Sequence, residues 1–163
     1  MGASEYVNNT QGELEINRYY SFLLVKTTVM PDGIEYYVLE DIFGNRHLME
    51  KEPYESYGFT LGEKVEIRID KVNCKGKVFF EPKHPRYNLG STVKAEFIKH
   101  SIEKDKFNED QHVLIVKDPD GNISSIRTSS PKQQDPDYNP DILVCIVDRI
   151  SKGRLVLRLI GSE

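Results

Sequence analysis

A repeat with an offset of 77 to 78 residues constrains the fold of this chain most. Residues 61–87 hold two stretches in which apolar and charged residues alternate, joined by a Lys-Gly pair at residues 75–76. Two similar stretches near the C-terminus are joined by a Lys-Gly pair at residues 152–153. The segments DIFGN (41–45) and DPDGN (118–122) repeat with the same offset, and we predict turns at residues 43–45, 75–76 and 118–122. Alternation with a period of two is typical of β-strands with one buried face, so the sequence predicts one β unit written twice.

The repeat divides the 163 residues into a flexible N-terminal tail (1–17) and two units, 18–87 and 88–163. The tail is polar and has no sustained period. In the first unit we predict three strands, a break at residues 51–60 and two further strands. Five strands with a break after the third is the order of an OB barrel. The predicted fold is therefore all-β, with two tandem five-stranded OB-like barrels.

The second unit contains two segments for which we predict no regular structure. Residues 101–111, SIEKDKFNEDQ, are highly charged and are predicted to form a hairpin loop. Residues 128–141 contain three prolines and no apolar period, so we expect a long loop without a helix.

Charge is distributed unevenly along the chain. The formal net charge is −4, which argues mildly against a general polyanion-binding protein. Residues 1–63 carry 4 basic and 11 acidic groups, whereas residues 64–86 carry 7 basic and 3 acidic groups. We call residues 64–86 the basic island, because the rest of the chain has no comparable excess of cations.

Several functional classes lack their sequence signals. Cys74 and Cys145 form no CxxC pair and no disulfide framework, which favours a reduced, cytoplasmic setting. No signal peptide or membrane span is visible. The four histidines show no metal-binding spacing, and no nucleophile motif or phosphate-binding glycine loop occurs. We therefore expect no metal, no cofactor and no enzymatic activity.

Three segments resemble the OB-fold superfamily, and within it the cold-shock-like, S-one-type RNA-binding domain of ribosomal and ribonuclease proteins. LGEKVEIRIDKVNCKGKVFFEP (61–82) is similar to the closing strands of that family, and NLGSTVKAEFIKHS (88–101) looks like its opening strand. GIEYYVLEDIFGNRHLM (33–49) looks like its middle hairpin. The resemblance covers most of residues 18–160, through degenerate positions.

The resemblance implies that RNA lies across the second and third strands, on exposed aromatic, His and basic side chains. In the first unit, Tyr37 or Tyr36 takes the aromatic place, His47 the His place and Lys77 the basic place after the glycine. In the second unit the matching positions hold Leu114, Ser124 or Ser125, and Arg154, so the aromatic and the His are missing. The resemblance thus assigns RNA binding to the first unit.

The residues themselves suggest a stacking platform in the same place. Alternation in the fifth strand turns Lys77 and Phe79 outward, and the fourth strand turns Arg68 outward. Because the fifth strand of an OB barrel lies beside the third, we expect Phe79 near Arg46 or His47. An exposed ring among cations can stack on a base while the cations bind phosphate. The same tyrosines could instead be core residues, since β-strands are rich in aromatic side chains.

These observations predict a non-catalytic module that binds single-stranded RNA or DNA. The predicted binding residues are Tyr36, Tyr37, Arg46, His47, Arg68, Lys77 and Phe79. The alternative is a protein–protein interaction or scaffold module, with the acidic first half and the proline-rich loop as contact surfaces. Acidic pI favours the alternative, and the basic island favours nucleic acid.

Overall fold

A computed structural model describes residues 14–128 and 130–163 of the chain. The chain divides into two compact units, residues 1–86 and 87–163. Each unit is built on a five-stranded antiparallel sheet, which confirms the all-β prediction. The strands of the first unit are β1 (Tyr19–Val29), β2 (Glu35–Glu40), β3 (Arg46–Glu50), β4 (Lys64–Val72) and β5 (Val78–Pro82), with a 3-10 helix at Glu52–Tyr57. Those of the second are β6 (Thr92–Lys104), β7 (Asp110–Lys117), β8 (Ile123–Arg127), β9 (Ile142–Ser151) and β10 (Arg154–Ser162), with a helix α1 at Pro131–Gln134.

The two sheets have the same strand order. It is β3-β2-β1-β4-β5 in the first unit and β10-β9-β6-β7-β8 in the second, which is the first order read from the other edge. Within the described ranges no backbone ladder joins β3 to β5 or β8 to β10, so the prediction of closed barrels is not confirmed. The edges of each sheet instead meet through side chains. The ring centroids of His47 and Phe80 are 5.2 Å apart, and the Arg154 guanidinium donates to the carbonyl oxygen of Ile123 at 3.2 Å.

Four hairpin turns share one construction. In each, the side-chain oxygen of the first residue accepts the backbone N–H groups of the residues two and four positions later, at 2.8 to 3.0 Å. The fourth residue has a positive φ between 63° and 87°, a conformation that Gly and Asn tolerate best. The four segments are DIFGN (41–45), NCKGK (73–77), DKFNE (105–109) and DPDGN (118–122). The predicted turns at 43–45, 75–76 and 118–122 are thereby confirmed.

Two predictions for the second unit are wrong. The charged segment 101–111 is mostly strand, because β6 and β7 continue as a two-stranded ribbon around a turn at 105–109. Such a ribbon satisfies its backbone hydrogen bonds without an apolar face, so its sequence lacks the apolar–polar alternation that predicts strands. The loop 128–141 contains the one-turn helix α1, which begins at Pro131, a residue suited to the first turn of a helix.

The predicted N-terminal tail falls largely outside the described residues, which begin at residue 14. Its last residues are anchored. The Leu14 side chain is buried in the core of the first unit, and the backbone N–H of Asn17 donates to the carbonyl oxygen of Ile69 at 2.7 Å. In the described part of the chain, no helix has the length and apolar character that a membrane span requires.

Candidate nucleic-acid interface

Two of the predicted binding residues, Tyr37 and His47, lie in the core of the first unit. Their exposed fractions are 5% and 0%, so the expectation that they form an exposed platform is wrong. Tyr37 pairs with Met49 across β2 and β3, and its ring contacts the ring of Phe59 edge-on at 5.8 Å. Burial is the main cause that raises the pKa of the Tyr37 hydroxyl. Tyr37 is thus the core member of the Tyr36-Tyr37 pair.

His47 is a structural residue that connects the core to a hairpin turn. Its Nε2 lies 2.7 Å from Oδ2 of Asp41, whose Oδ1 accepts two backbone N–H groups of the turn 41–45. The imidazole also packs edge-on between Phe22 and Phe80, at centroid distances of 6.1 and 5.2 Å. The ring beside His47 is therefore that of Phe80, and not that of Phe79 as we expected.

Arg68 is also buried, with 6% of its surface exposed, although alternation predicted an outward position. Its Nη2 donates to Oδ1 of Asp70 at 2.9 Å, and its Nη1 donates to Oδ1 of Asn17 at 3.2 Å. Arg68 stands opposite Glu81 on β5, and the Glu81 carboxylate accepts the hydroxyl of Tyr54 at 3.0 Å. The guanidinium is thus engaged with acceptors of its own unit and is not presented to a ligand.

Tyr36 and Arg46 are half-buried on the outer face of β2 and β3. The Tyr36 hydroxyl donates to Oδ2 of Asp32 at 3.1 Å. Its pKa is raised by burial first and then by Asp32 and Glu50. Tyr36 pairs with Glu50 across the strands, and Arg46 pairs with Glu40. Because carboxylates flank both residues, this face is poorly suited to a polyanion.

Lys77 and Phe79 have the predicted orientation. Lys77 is exposed and Phe79 half-buried, while Val78 and Phe80 between and after them are buried. Two ammonium groups lie over the ring of Phe79: Nζ of Lys71 at 4.9 Å and Nζ of Lys77 at 5.2 Å from the ring centroid. Phe79 is therefore an outward-facing ring with two cations at hand.

We call residues 71–79, KVNCKGKVF, the β4–β5 hairpin tip. It carries three lysines, Lys71, Lys75 and Lys77, and no carboxylate. All three side chains are exposed. The nearest acidic residues along the strands, Asp70 and Glu81, are engaged with Arg68 and Tyr54. The hairpin tip is thus a compact positive surface around a single ring.

Lys71 and Lys75 are the residues of the hairpin tip that sequence reasoning missed, and Lys71 is the one that contacts the ring. The β4–β5 ladder shifts register between Ile69 and Lys71, so that Lys71 and not Asp70 stands opposite Phe79. Without this bulge, simple alternation assigns Lys71 and Asp70 to the wrong faces, because one extra residue reverses the side-chain direction.

The matching positions of the second unit do not form a similar surface. Leu114 is fully buried, Ser124 is half-buried, and Arg154 donates to the carbonyl oxygen of Ile123 on the neighbouring edge strand. Phe107 at the tip of the β6–β7 hairpin is 72% exposed, with Nζ of Lys106 at 5.1 Å from its centroid. Its turn carries Asp105 and Glu109, and Asp110 follows, so this ring has acidic surroundings.

Comparisons with known proteins assign no family to this chain. No family model matches it, and none of the curated proteins does. One similar solved structure is the crystal structure of a multidomain protein with nucleic acid binding domains from Streptococcus pneumoniae. The two are 12% identical with a TM-score of 0.31, over 93% of this chain and 54% of that chain, so this chain spans about half of its length. A likeness at this level supports no inference about the fold or the activity of this chain.

Proposed function

We propose that this chain is a non-catalytic module that binds single-stranded nucleic acid through the β4–β5 hairpin tip of its first unit. The observation that carries the proposal is Phe79 with the ammonium groups of Lys71 and Lys77 within 5.2 Å of its ring centroid. A ring offers a face to an unpaired base, and adjacent lysines bind the phosphates on either side of that base. The site differs from the predicted one, since it keeps Lys77 and Phe79 and adds Lys71 and Lys75.

The energies favour exchange of a lysine for a base on the ring. A cation over an exposed aromatic ring is worth about 0.5–1 kcal/mol, whereas a stacked base is worth roughly 1–3 kcal/mol. A base can therefore displace one ammonium group from Phe79, and the freed lysine then reaches a phosphate. The contact between ring and lysine keeps the side chains near their bound positions, which lowers the entropy lost on binding.

The fold supports the proposal at the level of strand order. A five-stranded sheet with its third and fifth strands at the edges has the strand order expected of an OB-type barrel that is open between those strands. In OB folds, the loop between the fourth and fifth strands is one of the segments that contact oligonucleotides. The β4–β5 hairpin tip is the corresponding connection between the fourth and fifth strands of the first unit.

Binding is expected to be weak and sensitive to salt. With one ring and three lysines, the dissociation constant should lie at roughly 10⁻⁴ to 10⁻⁶ M at moderate salt. Three neutralised phosphates predict that log K falls with log [salt] with a slope of about −2 for a single strand. The lack of a second exposed ring at the hairpin tip predicts little base preference.

Fluorescence anisotropy with labelled single-stranded RNA and DNA of the same sequence, across a salt series, tests the proposal. We expect Phe79→Ala to weaken binding about tenfold, and Lys77→Gln to reduce the salt slope by about 0.7. Phe107→Ala is the matched control, because that ring also lies near a lysine but is surrounded by carboxylates. Its affinity should stay within about twofold of the wild type.

Two results would overturn the proposal. One is the absence of binding to both the single-stranded RNA and the single-stranded DNA at low salt. That result would favour the alternative, a protein-interaction module. The other is binding that falls equally in Phe79→Ala and Phe107→Ala, because the hairpin tip would then have no special role. The ratio of RNA to DNA affinity distinguishes the two nucleic acids.

A further inference from the structure

Two histidines of the second unit face each other across neighbouring strands. His100 lies on β6 and His112 on β7, and their partners in the ladder are Leu114 and Ile102, so the two histidines are diagonal neighbours. Nδ1 of His100 is 3.0 Å from Nε2 of His112. The ring of His100 is also fixed edge-on against Phe97, at a centroid distance of 5.3 Å. Both imidazoles are half-exposed, so ions in solution can reach them.

The two outer nitrogens of the pair are held by oxygen atoms of the same unit. Nε2 of His100 lies 2.6 Å from the carbonyl oxygen of Tyr138, so this nitrogen carries a proton and donates it. Nδ1 of His112 lies 3.3 Å from Oγ1 of Thr128, and that hydroxyl is 3.2 Å from the carbonyl oxygen of His112. In metal sites, a ligating histidine almost always donates its other ring N–H to an oxygen that fixes its orientation. Both outer nitrogens therefore have an oxygen atom within 3.3 Å that can accept such a hydrogen bond when a metal is bound.

We propose that Nδ1 of His100 and Nε2 of His112 form a two-ligand binding site for a late first-row divalent metal ion, with Zn²⁺ as the reference ion. Imidazole is a preferred ligand of Zn²⁺, Cu²⁺ and Ni²⁺. Zn–N bonds of about 2.0–2.1 Å in a tetrahedral arrangement separate two ligand nitrogens by about 3.3 Å. The observed 3.0 Å separation must therefore open by about 0.3 Å, and each ring must turn so that its lone pair points at the ion and not at the other nitrogen.

The protons of the pair can rearrange to free both ligand nitrogens. In the neutral pair, Nδ1 of His100 carries no proton, and its lone pair accepts a hydrogen bond from the Nε2–H of His112. On metal binding, the proton of His112 moves from Nε2 to Nδ1 and is donated to Oγ1 of Thr128, whose own hydrogen points to the carbonyl oxygen of His112. Both facing nitrogens then hold lone pairs, and the neutral pair releases no proton. If one of the two imidazoles is protonated and positively charged before binding, the pair releases that extra proton when the metal binds.

Burial first, and His100 second, lower the pKa of His112 below its usual value of 6.5. A lowered pKa keeps this imidazole neutral at physiological pH, which is the form that binds metals. No cluster of three or more His, Cys, Asp or Glu side chains suited to a metal occurs in the described ranges. The remaining coordination positions therefore fall to water or to a ligand carried by the ion.

The first unit has a different pair at the matching positions. Residues 77 positions before His112 and Thr128 are Glu35 and Lys51, whose side chains form an ion pair of 3.3 Å. In the ladders, Thr27 occupies the place of His100, since it pairs with Tyr37 as His100 pairs with Leu114. The proposed site is therefore a property of the second unit alone and does not depend on nucleic-acid binding.

Imidazole ¹⁵N NMR of the full chain with Zn²⁺ tests the site directly. The experiment uses a Cys74→Ser background, because the exposed thiol of Cys74 could bind metal itself. We expect Zn²⁺ to shift Nδ1 of His100 and Nε2 of His112 and to leave His47 and His84 unchanged, while Mg²⁺ shifts none of them. Shifts confined to other histidines, or no shift at about 1 mM Zn²⁺, would overturn the proposal.

Calorimetric titration of variants provides the second measurement. His100→Gln and His112→Gln should each weaken Zn²⁺ binding by about tenfold or more, because each removes one of two ligands. Thr128→Val should weaken it by about tenfold through loss of the acceptor that orients His112. Asp110→Asn on the same strand is the control and should leave the affinity within about twofold. Wild-type affinity in either histidine variant, or an equal loss in Asp110→Asn, would contradict a site built by the two imidazoles.

Discussion

The repeat provides a pair of matched substitutions that measure the contribution of His47 to stability. Asp41 and Asp118 start turns of the same construction, and Oδ1 of each accepts two backbone N–H groups. Oδ2 of Asp41 contacts His47 at 2.7 Å, whereas Oδ2 of Asp118 is buried and has no hydrogen-bond partner among the described residues. The position 77 residues after His47 is Ser124, whose side chain is shorter than an imidazole.

We predict that Asp41→Asn costs the first unit about 1–2 kcal/mol more than Asp118→Asn costs the second. In both variants the amide oxygen keeps the two turn hydrogen bonds and loses the charge, so that loss cancels in the comparison. The remaining difference is the hydrogen bond to a buried carboxylate, worth about 1.5–3 kcal/mol before partial replacement by the amide. A unit of this size has a total stability of about 4–10 kcal/mol, so the effect is readily measured.

Native-state hydrogen exchange of strand amides gives the free energy of opening for each unit separately. A His47→Ser variant, which copies the second unit, completes the cycle: in that background Asp41→Asn should cost no more than Asp118→Asn. Equal costs in the two wild-type units, or an Asp41→Asn effect that persists without His47, would refute the reasoning. Either result would mean that Asp41 stabilises the first unit through its turn hydrogen bonds and not through its contact with the imidazole.

Three further outcomes follow from groups whose surroundings the structure defines. In native protein at pH 8, a thiol reagent should modify the exposed Cys74 and spare Cys145, because burial raises the pKa of the Cys145 thiol to about 11. Denaturation should make both thiols reactive. Rapid reaction of both thiols in native protein would contradict the burial of Cys145. Folding lowers the pKa of His112, so the unfolded chain binds the proton more tightly than the folded chain does. The second unit should therefore lose stability as pH falls from 6.5 towards the folded-state pKa of His112. Urea titrations of His112→Gln should show a smaller loss of stability over the same pH range. Arg68→Met should destabilise the first unit by about 1–3 kcal/mol, because Asp70 loses its ion-pair partner. The same substitution should leave the affinity for nucleic acid within about twofold of the wild type. A larger loss of affinity would indicate that Arg68 takes part in binding.

The fold was predictable where the chain carries a local rule. The period of two identifies strands, and the sequences DIFGN and DPDGN contain the acceptor and the glycine that the hairpin turn favours. The continuation of β6 and β7 through residues 101–104 and 110–111 was missed, because a ribbon with two polar faces has no hydrophobic alternation. The pairing of edge strands also depends on how far a sheet curls, which no local pattern encodes.

The binding site was predictable only in part, for a similar reason. Alternation along β5 correctly turned Lys77 and Phe79 outward. It could not show that Tyr37 is the core member of its pair, or that His47 packs between Phe22 and Phe80 and contacts Asp41. These outcomes depend on neighbours in other strands, whose positions are fixed only when the sheet forms.

The sequence by itself determined the repeat, the all-β character, the turns and the position of the basic island, because each depends on residues close together in the chain. The tertiary structure decided which cations surround Phe79, since a bulge in β4 moves Lys71 opposite the ring. It also brought His100 and His112 within 3.0 Å across a ladder. A single shift of register reverses the direction of every following side chain, and that shift is set by the packing of the whole sheet.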